Sequence, residues 1–152
     1  MVFDEAPGRE ARVVLARAGA LICALPVLSV SETMRALPIR PARGGIPFVL
    51  GVAVIRGAAL PVLDLAAFLG AGAGSGQRFV VVRAGPRQLA LSVDEVLGVS
   101  RLEASTLERA PPLLDRALAE HVEGLGALDH HVVVLLRAAR LLPDEAWALA
   151  AD

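Results

Sequence analysis

Short apolar runs of strand length, cut by glycine or proline every few residues, constrain this chain more than any other feature. Runs rich in Val, Ile and Leu lie at Val13 to Ala16, Leu21 to Leu25, Phe48 to Ile55, Leu60 to Leu63, Phe79 to Val82, Leu89 to Val93 and Val132 to Leu136. Each is bounded by glycine, proline or a charge, which marks short β-strands rather than long helices. The breaks at Gly44-Gly45, Gly57, Pro61 and Gly85-Pro86 leave little room for the crossover helices that parallel strands require. The pattern predicts antiparallel β-barrels.

Helical signals are fewer. Leu65 to Leu69 reads as one or two turns, Ala104 to Arg109 follows an acidic residue, and Arg137 to Leu149 closes the chain, interrupted by Pro143. Pro143-Asp144-Glu145 suits a new first turn, because proline loses no needed donor there and the acids face the positive end of the dipole. Two short helices are therefore expected in the segment 137–150, with Trp147 as a core anchor. Ala71 to Gly76 has the composition of a flexible loop. It is not a phosphate loop: the Gly-x-Gly-x-x-Gly spacing is not met, no Gly-Lys-Ser/Thr follows, and a strand comes next. A chain of 152 residues has room for one compact domain, or two small lobes sharing a core, so residues 1–152 are read as one unit.

Composition removes several functions. With 55% hydrophobic and 20% charged residues the chain can offset its folding entropy, so global disorder is excluded. Fifteen basic residues against sixteen acidic ones, with no basic run, make nucleic acid an improper partner. Cys23 sits in the apolar run Leu21 to Leu25, where it packs as a small hydrophobe, and a single cysteine allows no disulfide within the chain. The uncharged stretch Ala18 to Ser31 is broken by Pro26 and falls short of the roughly 20 residues that cross a bilayer. Asp4, Glu5 and Glu10 stand where a secretory signal would be basic, so a cytoplasmic location without membrane insertion is expected.

No catalytic or metal pattern emerges. The only histidines are His121 and the adjacent pair His130-His131, and neighbours in a strand face opposite sides, so the pair cannot ligate one ion. No Gly-x-Ser-x-Gly elbow occurs, and carboxylates are scattered singly among arginines. The expectation is a protein without enzyme activity, cofactor or metal.

The segment from Pro47 through Val49-Leu50-Gly51-Val52-Ala53-Val54-Ile55-Arg56-Gly57 to Leu60-Pro61-Val62-Leu63-Asp64-Leu65 resembles the signature of CheW proteins. There, a Gly-Val strand runs into Asn-Leu-Arg-Gly and then Pro-Val-x-Asp-Leu. Three further pieces fall in family order: Val30-Ser31-Glu32, Val93-Asp94-Glu95-Val96, and Gly124-Leu125-Gly126-Ala127-Leu128. The resemblance spans almost the whole chain. It implies a mainly β fold of two intertwined five-stranded SH3-like barrels with a hydrophobic groove between them. It also implies an adaptor that holds the helical tip of a chemoreceptor, meets the regulatory domain of a CheA-type histidine kinase, uses no cofactor and is recruited to receptor arrays.

Carried over position by position, the resemblance makes Val30, Glu32, Arg56, Gly57, Arg78, Phe79 and Ala90 receptor-facing, and puts Val49, Leu50 and Gly51 where the family meets the kinase. A plain structural reading stands beside several of these: Gly57 as a turn glycine, Val30 and Phe79 as core residues. The family's Asn two residues before the signature Arg is Val54 here. An isopropyl group has none of the amide's donors or acceptor, so kinase affinity is expected to fall below the family's. An ion pair between Glu32 and Arg56 is expected at the groove. Two other readings compete: an accessory protein that binds receptor but not kinase and tunes the array, and a ligand-binding or catalytic barrel, for which the sequence offers no convergent polar groups.

Overall fold

The computed structural model describes residues 10–41, 45–103, 122–128, 131–137, 141–142 and 147–148. In chain order the strands are β1 (Glu10–Ala18), β2 (Leu21–Pro26), β3 (Val30–Arg35), β4 (Arg40–Pro41), β5 (Val49–Ile55), β6 (Ala58–Asp64), β7 (Arg78–Ala84), β8 (Arg87–Val93), β9 (Glu95–Glu103), β10 (Val122–Leu128) and β11 (His131–Leu136). A one-turn 3-10 helix, Val27–Ser29, joins β2 to β3, and a short helix α1 (Leu65–Phe68) follows β6. The Asp64 carboxylate accepts a hydrogen bond from the Ala67 backbone N–H at 3.2 Å, which starts α1 as a side-chain cap. The helix read at Ala104 to Arg109 and most of the segment 137–150 lie outside the described residues, as do His121 and His130.

The strands form two sheets. One has the order β10-β11-β2-β1-β9, the other β3-β7-β8-β6-β5-β4. From β1 and β2 in the first sheet the chain crosses at Val27–Ser29 into the second and returns at Asp94, so the second sheet is an insertion in the first. This is the interleaving the resemblance implied, built on a mainly β chain. Three details differ from expectation. The second sheet has six strands, the extra one being the two-residue β4, and among the described residues no strand pairing closes either sheet into a full barrel. Each sheet also contains one parallel neighbour, β11 beside β2 and β6 beside β8. Glycine and proline punctuation reports turns between consecutive strands and is blind to a hairpin inserting its second strand beside an earlier one.

Three apolar clusters hold the sheets, and the period of two along a strand divides them. Along β7, Val80 and Val82 face the cluster between the sheets, whereas Phe79 and Val81 face the interior of the second sheet. Along β11, Val134 and Leu136 join the inter-sheet cluster, and Val133 and Leu135 pack with Val13, Leu15 and Ala24 on the first sheet's other side. Strands buried on both faces read as continuous apolar runs, which is why these segments show no alternation in sequence. Each such valine or leucine contributes about 1.5–3 kcal/mol by leaving water, so these clusters and not surface charges carry the fold.

Cys23 belongs to the inter-sheet cluster with no exposure, and burial pushes its thiol up to about 12, as the core reading required. Trp147 is half-buried against the same cluster, with the Arg87 guanidinium 4.6 Å from its ring centre. Among the described residues no helix is long and apolar enough to cross a membrane.

Candidate protein-docking surface

The β5–β6 hairpin turns through Arg56 and Gly57, whose φ angles are 54° and 80°, with Ile55 paired to Ala58. A two-residue turn of this type needs positive φ at both central positions, and its twist matches that of the flanking strands. Gly57 meets the requirement without strain. Arg56 meets it as a non-glycine residue, and its side chain is thereby presented to Glu32 on β3.

That contact is a fork. Arg56 Nε donates to Glu32 Oε2 at 3.1 Å and Arg56 Nη2 to Oε1 at 2.9 Å. The Arg56 hydrogen bonds, and then its charge, hold the Glu32 carboxyl below the usual glutamate range, and the same contacts push the guanidinium up. In the sheet order β7, β8 and β6 separate β3 from β5, so the contact requires the sheet to curl until its ends approach. The Arg56 side chain is 78% exposed and that of Glu32 26% exposed. The expected ion pair is therefore present, but at the surface.

The other receptor-facing candidates scatter. Val30 is half-buried beside the inter-sheet cluster, and Gly57 is exposed at the turn. Arg78 is half-buried and stands opposite Arg35 across the β3–β7 pair. Phe79 and Ala90 are fully buried together inside the second sheet. A groove floor made of Phe79 is thus not what this fold presents: its position has the parity of Val81 and Met34, which points it inward. Of the kinase-facing candidates, Val49 is half-buried, Leu50 is exposed, and Gly51 is buried with its backbone pressed on β4. A Cβ at residue 51 would lie 2.0 Å from the Arg40 carbonyl oxygen, so Gly51 admits β4 and shows no side chain to a partner.

Several residues that sequence reading passed over occupy the exposed surface. Leu28, on the one-turn helix between the sheets, is 89% exposed. The Arg83 guanidinium donates to the carbonyls of Leu28 at 3.1 Å and Val30 at 3.4 Å, which braces this crossing. On the outer side of β5 and β6, Val52, Val54 and Ala59 face Leu37, Pro38, Ile39 and Arg40 across an open concavity of about 630 Å³. It forms because the chain pairs with β5 only at Arg40 and Pro41, so residues 37–39 stand away from the strand. Val54, noted in sequence only as a departure from a signature, is the most exposed aliphatic residue of this lining. Its exposure has one legible cue: it shares strand parity with Val52, opposite to the buried Ala53 and Ile55.

Among the described residues no three His, Cys, Asp or Glu side chains gather as a metal site. An aliphatic concavity near a surface fork of opposite charges is the chemistry of a protein-docking module. The profile of the CheW-like domain matches residues 12–146, and the chain belongs to that family. It is 32% identical over 105 residues to the chemotaxis protein CheW of Klebsiella aerogenes, a match covering 67% of this chain and 63% of that protein's length. It is 34% identical over 131 residues to protein FrzA of Myxococcus xanthus, covering 83% and 81% respectively. The crystal structure of the scaffolding protein TtCheW from Thermoanaerobacter tengcongensis shares the fold with a TM-score of 0.80 over 95% of both chains at 21% identity. The family is one of non-enzymatic adaptors of chemosensory signalling.

Proposed function

We propose that this adaptor joins the helical tip of a chemoreceptor to the regulatory domain of a CheA-type histidine kinase, in the cytoplasm and within receptor arrays. The observation that carries the reading is the Glu32–Arg56 fork, which orients a guanidinium by two hydrogen bonds at the surface near aliphatic side chains. A preordered cation beside apolar area offers a helix both orientation and buried surface without first losing rotamer entropy. On the receptor side the reading uses Leu28, the exposed edge of Val30, Glu32, Arg56 and Gly57, with Arg78 nearby in β7. The buried Phe79 and Ala90 drop out of direct contact and serve as the packing beneath. On the kinase side it uses Leu50 and the aliphatic lining around Val54.

The test scores the two partners separately. Purified protein is titrated with a receptor tip and, in a second experiment, with a kinase regulatory domain, comparing wild type with Arg56→Ala and Val54→Asp. Arg56→Ala is expected to weaken the tip alone, and Val54→Asp the kinase domain alone. Wild-type affinity of both variants for both partners overturns the reading.

A further inference from the structure

The two crossings between the sheets are braced by different chemistry. At the first, Arg83 reaches the carbonyls of Leu28 and Val30. At the second, three hydrogen bonds converge on Asp94. Its backbone N–H donates to the Arg17 carbonyl at 2.8 Å. Its carboxylate accepts from the Gly19 N–H at 3.1 Å through Oδ2 and from the Ser75 N–H at 2.8 Å through Oδ1. Gly19 lies in the β1–β2 turn of the first sheet, and Ser75 in the segment that leads into β7 of the second.

The glycines there fit this contact. A Cβ at residue 74 would stand 2.4 Å from Asp94 Oδ1, and one at residue 19 would stand 2.2 Å from the Ala71 carbonyl oxygen. That carbonyl accepts from the Ala20 N–H at 2.9 Å, so the glycine-rich segment is tied to the first sheet a second time. An Arg17–Glu95 ion pair of 2.5 Å spans β1 and β9 next to the same place.

We infer that Asp94 is a latch that sets how the two sheets sit on each other. The inter-sheet cluster is aliphatic, and apolar attraction is non-directional, so it resists separation far better than sliding. Hydrogen bonds have direction. Those at Asp94 join one turn of the first sheet to the loop that leads into the second, and they are the contacts suited to oppose shear. Glycine at 74 is required by the approach of the carboxylate, whereas a Cβ at residue 72 would meet nothing.

The latch is tested with spin labels on cysteines placed at Val132 in the first sheet and Val54 in the second, both exposed. Cys23, buried with its thiol pushed up to about 12, is left in place because it resists labelling. A narrow inter-label distance distribution is expected for the otherwise wild-type chain. Asp94→Ala and, independently, Gly74→Ala are expected to broaden or shift it. Val81→Ala, which loosens only the interior of the second sheet, is expected to lower the melting midpoint without broadening. Native distributions in both latch variants overturn the inference, as does equal broadening by Val81→Ala. If Asp94→Ala does not fold, Gly74→Ala decides by the same criterion, since it leaves every hydrogen-bonding group in place.

Discussion

Glu32 and Asp94 are both carboxylates on which distant parts of the chain converge, and they act in opposite ways. Glu32 meets a charge, the Arg56 guanidinium, at a surface where water competes for both partners. Asp94 meets backbone N–H groups of a turn and a loop, which have no other described protein acceptor. Removing Arg56 returns the Glu32 carboxylate to water at little cost to the fold. Removing the Asp94 carboxylate leaves two amides without acceptors at a join between sheets. The first carboxylate is therefore suited to recognition and the second to architecture.

The largest effect expected comes from neither. Phe79 has no exposure and packs with Ile55, Val62 and Val81. Phe79→Glu should leave the chain unfolded at room temperature, and Phe79→Ala should cost about 3–5 kcal/mol in urea denaturation. A well-folded Phe79→Glu variant that had merely lost receptor binding would return this side chain to the docking surface and blur the contrast.

Asp94→Ala should cost about 2 kcal/mol, from two hydrogen bonds to a charged acceptor of which one is exposed. The same denaturation curves read it. A cost no greater than that of Arg56→Ala would erase the distinction between the two carboxylates.

Next comes Gly57→Ala, which forces a Cβ into the left-handed region at φ 80° and should cost about 1 kcal/mol. Because nothing crowds a Cβ there, the cost is conformational, and Gly57→Asn should recover part of it. Equal costs for both variants would point to a packing role instead.

The smallest effect on stability is expected for Arg56→Ala, whose consequence should appear in titration. The Glu32 carboxyl lies below the usual glutamate range because the folded state favours its charged form. The pair's contribution is thus fully present above the unfolded-state value and is lost as pH falls through the lowered folded one. A carboxyl NMR titration should find Glu32 depressed in wild type and returned toward the ordinary value in Arg56→Ala. An ordinary value in wild type would mean that the fork does not persist in solution.

The strands β1, β2, β5, β6, β7, β8 and β11, the turns at Gly57 and Gly85, the short helix after Asp64 and the core place of Cys23 were legible because each depends on neighbours in the chain, whereas β3, β4, β9 and β10 carry no such apolar run and were not read as strands. Family likeness added the Glu32–Arg56 partnership, which spacing alone could not supply. Three things waited for the tertiary structure. Which side of β7 is the interior could not be read, since Phe79 to Val82 is apolar on both parities and burial on both faces removes the alternation that marks a surface. The parallel neighbours β6 and β8 depend on where a hairpin inserts, a choice made by the sheet and not by the turn. The role of Asp94 depends on amides of residues 19 and 75, distant along the chain, and every residue but proline carries the same N–H, so no side-chain pattern reports which of them a carboxylate will meet.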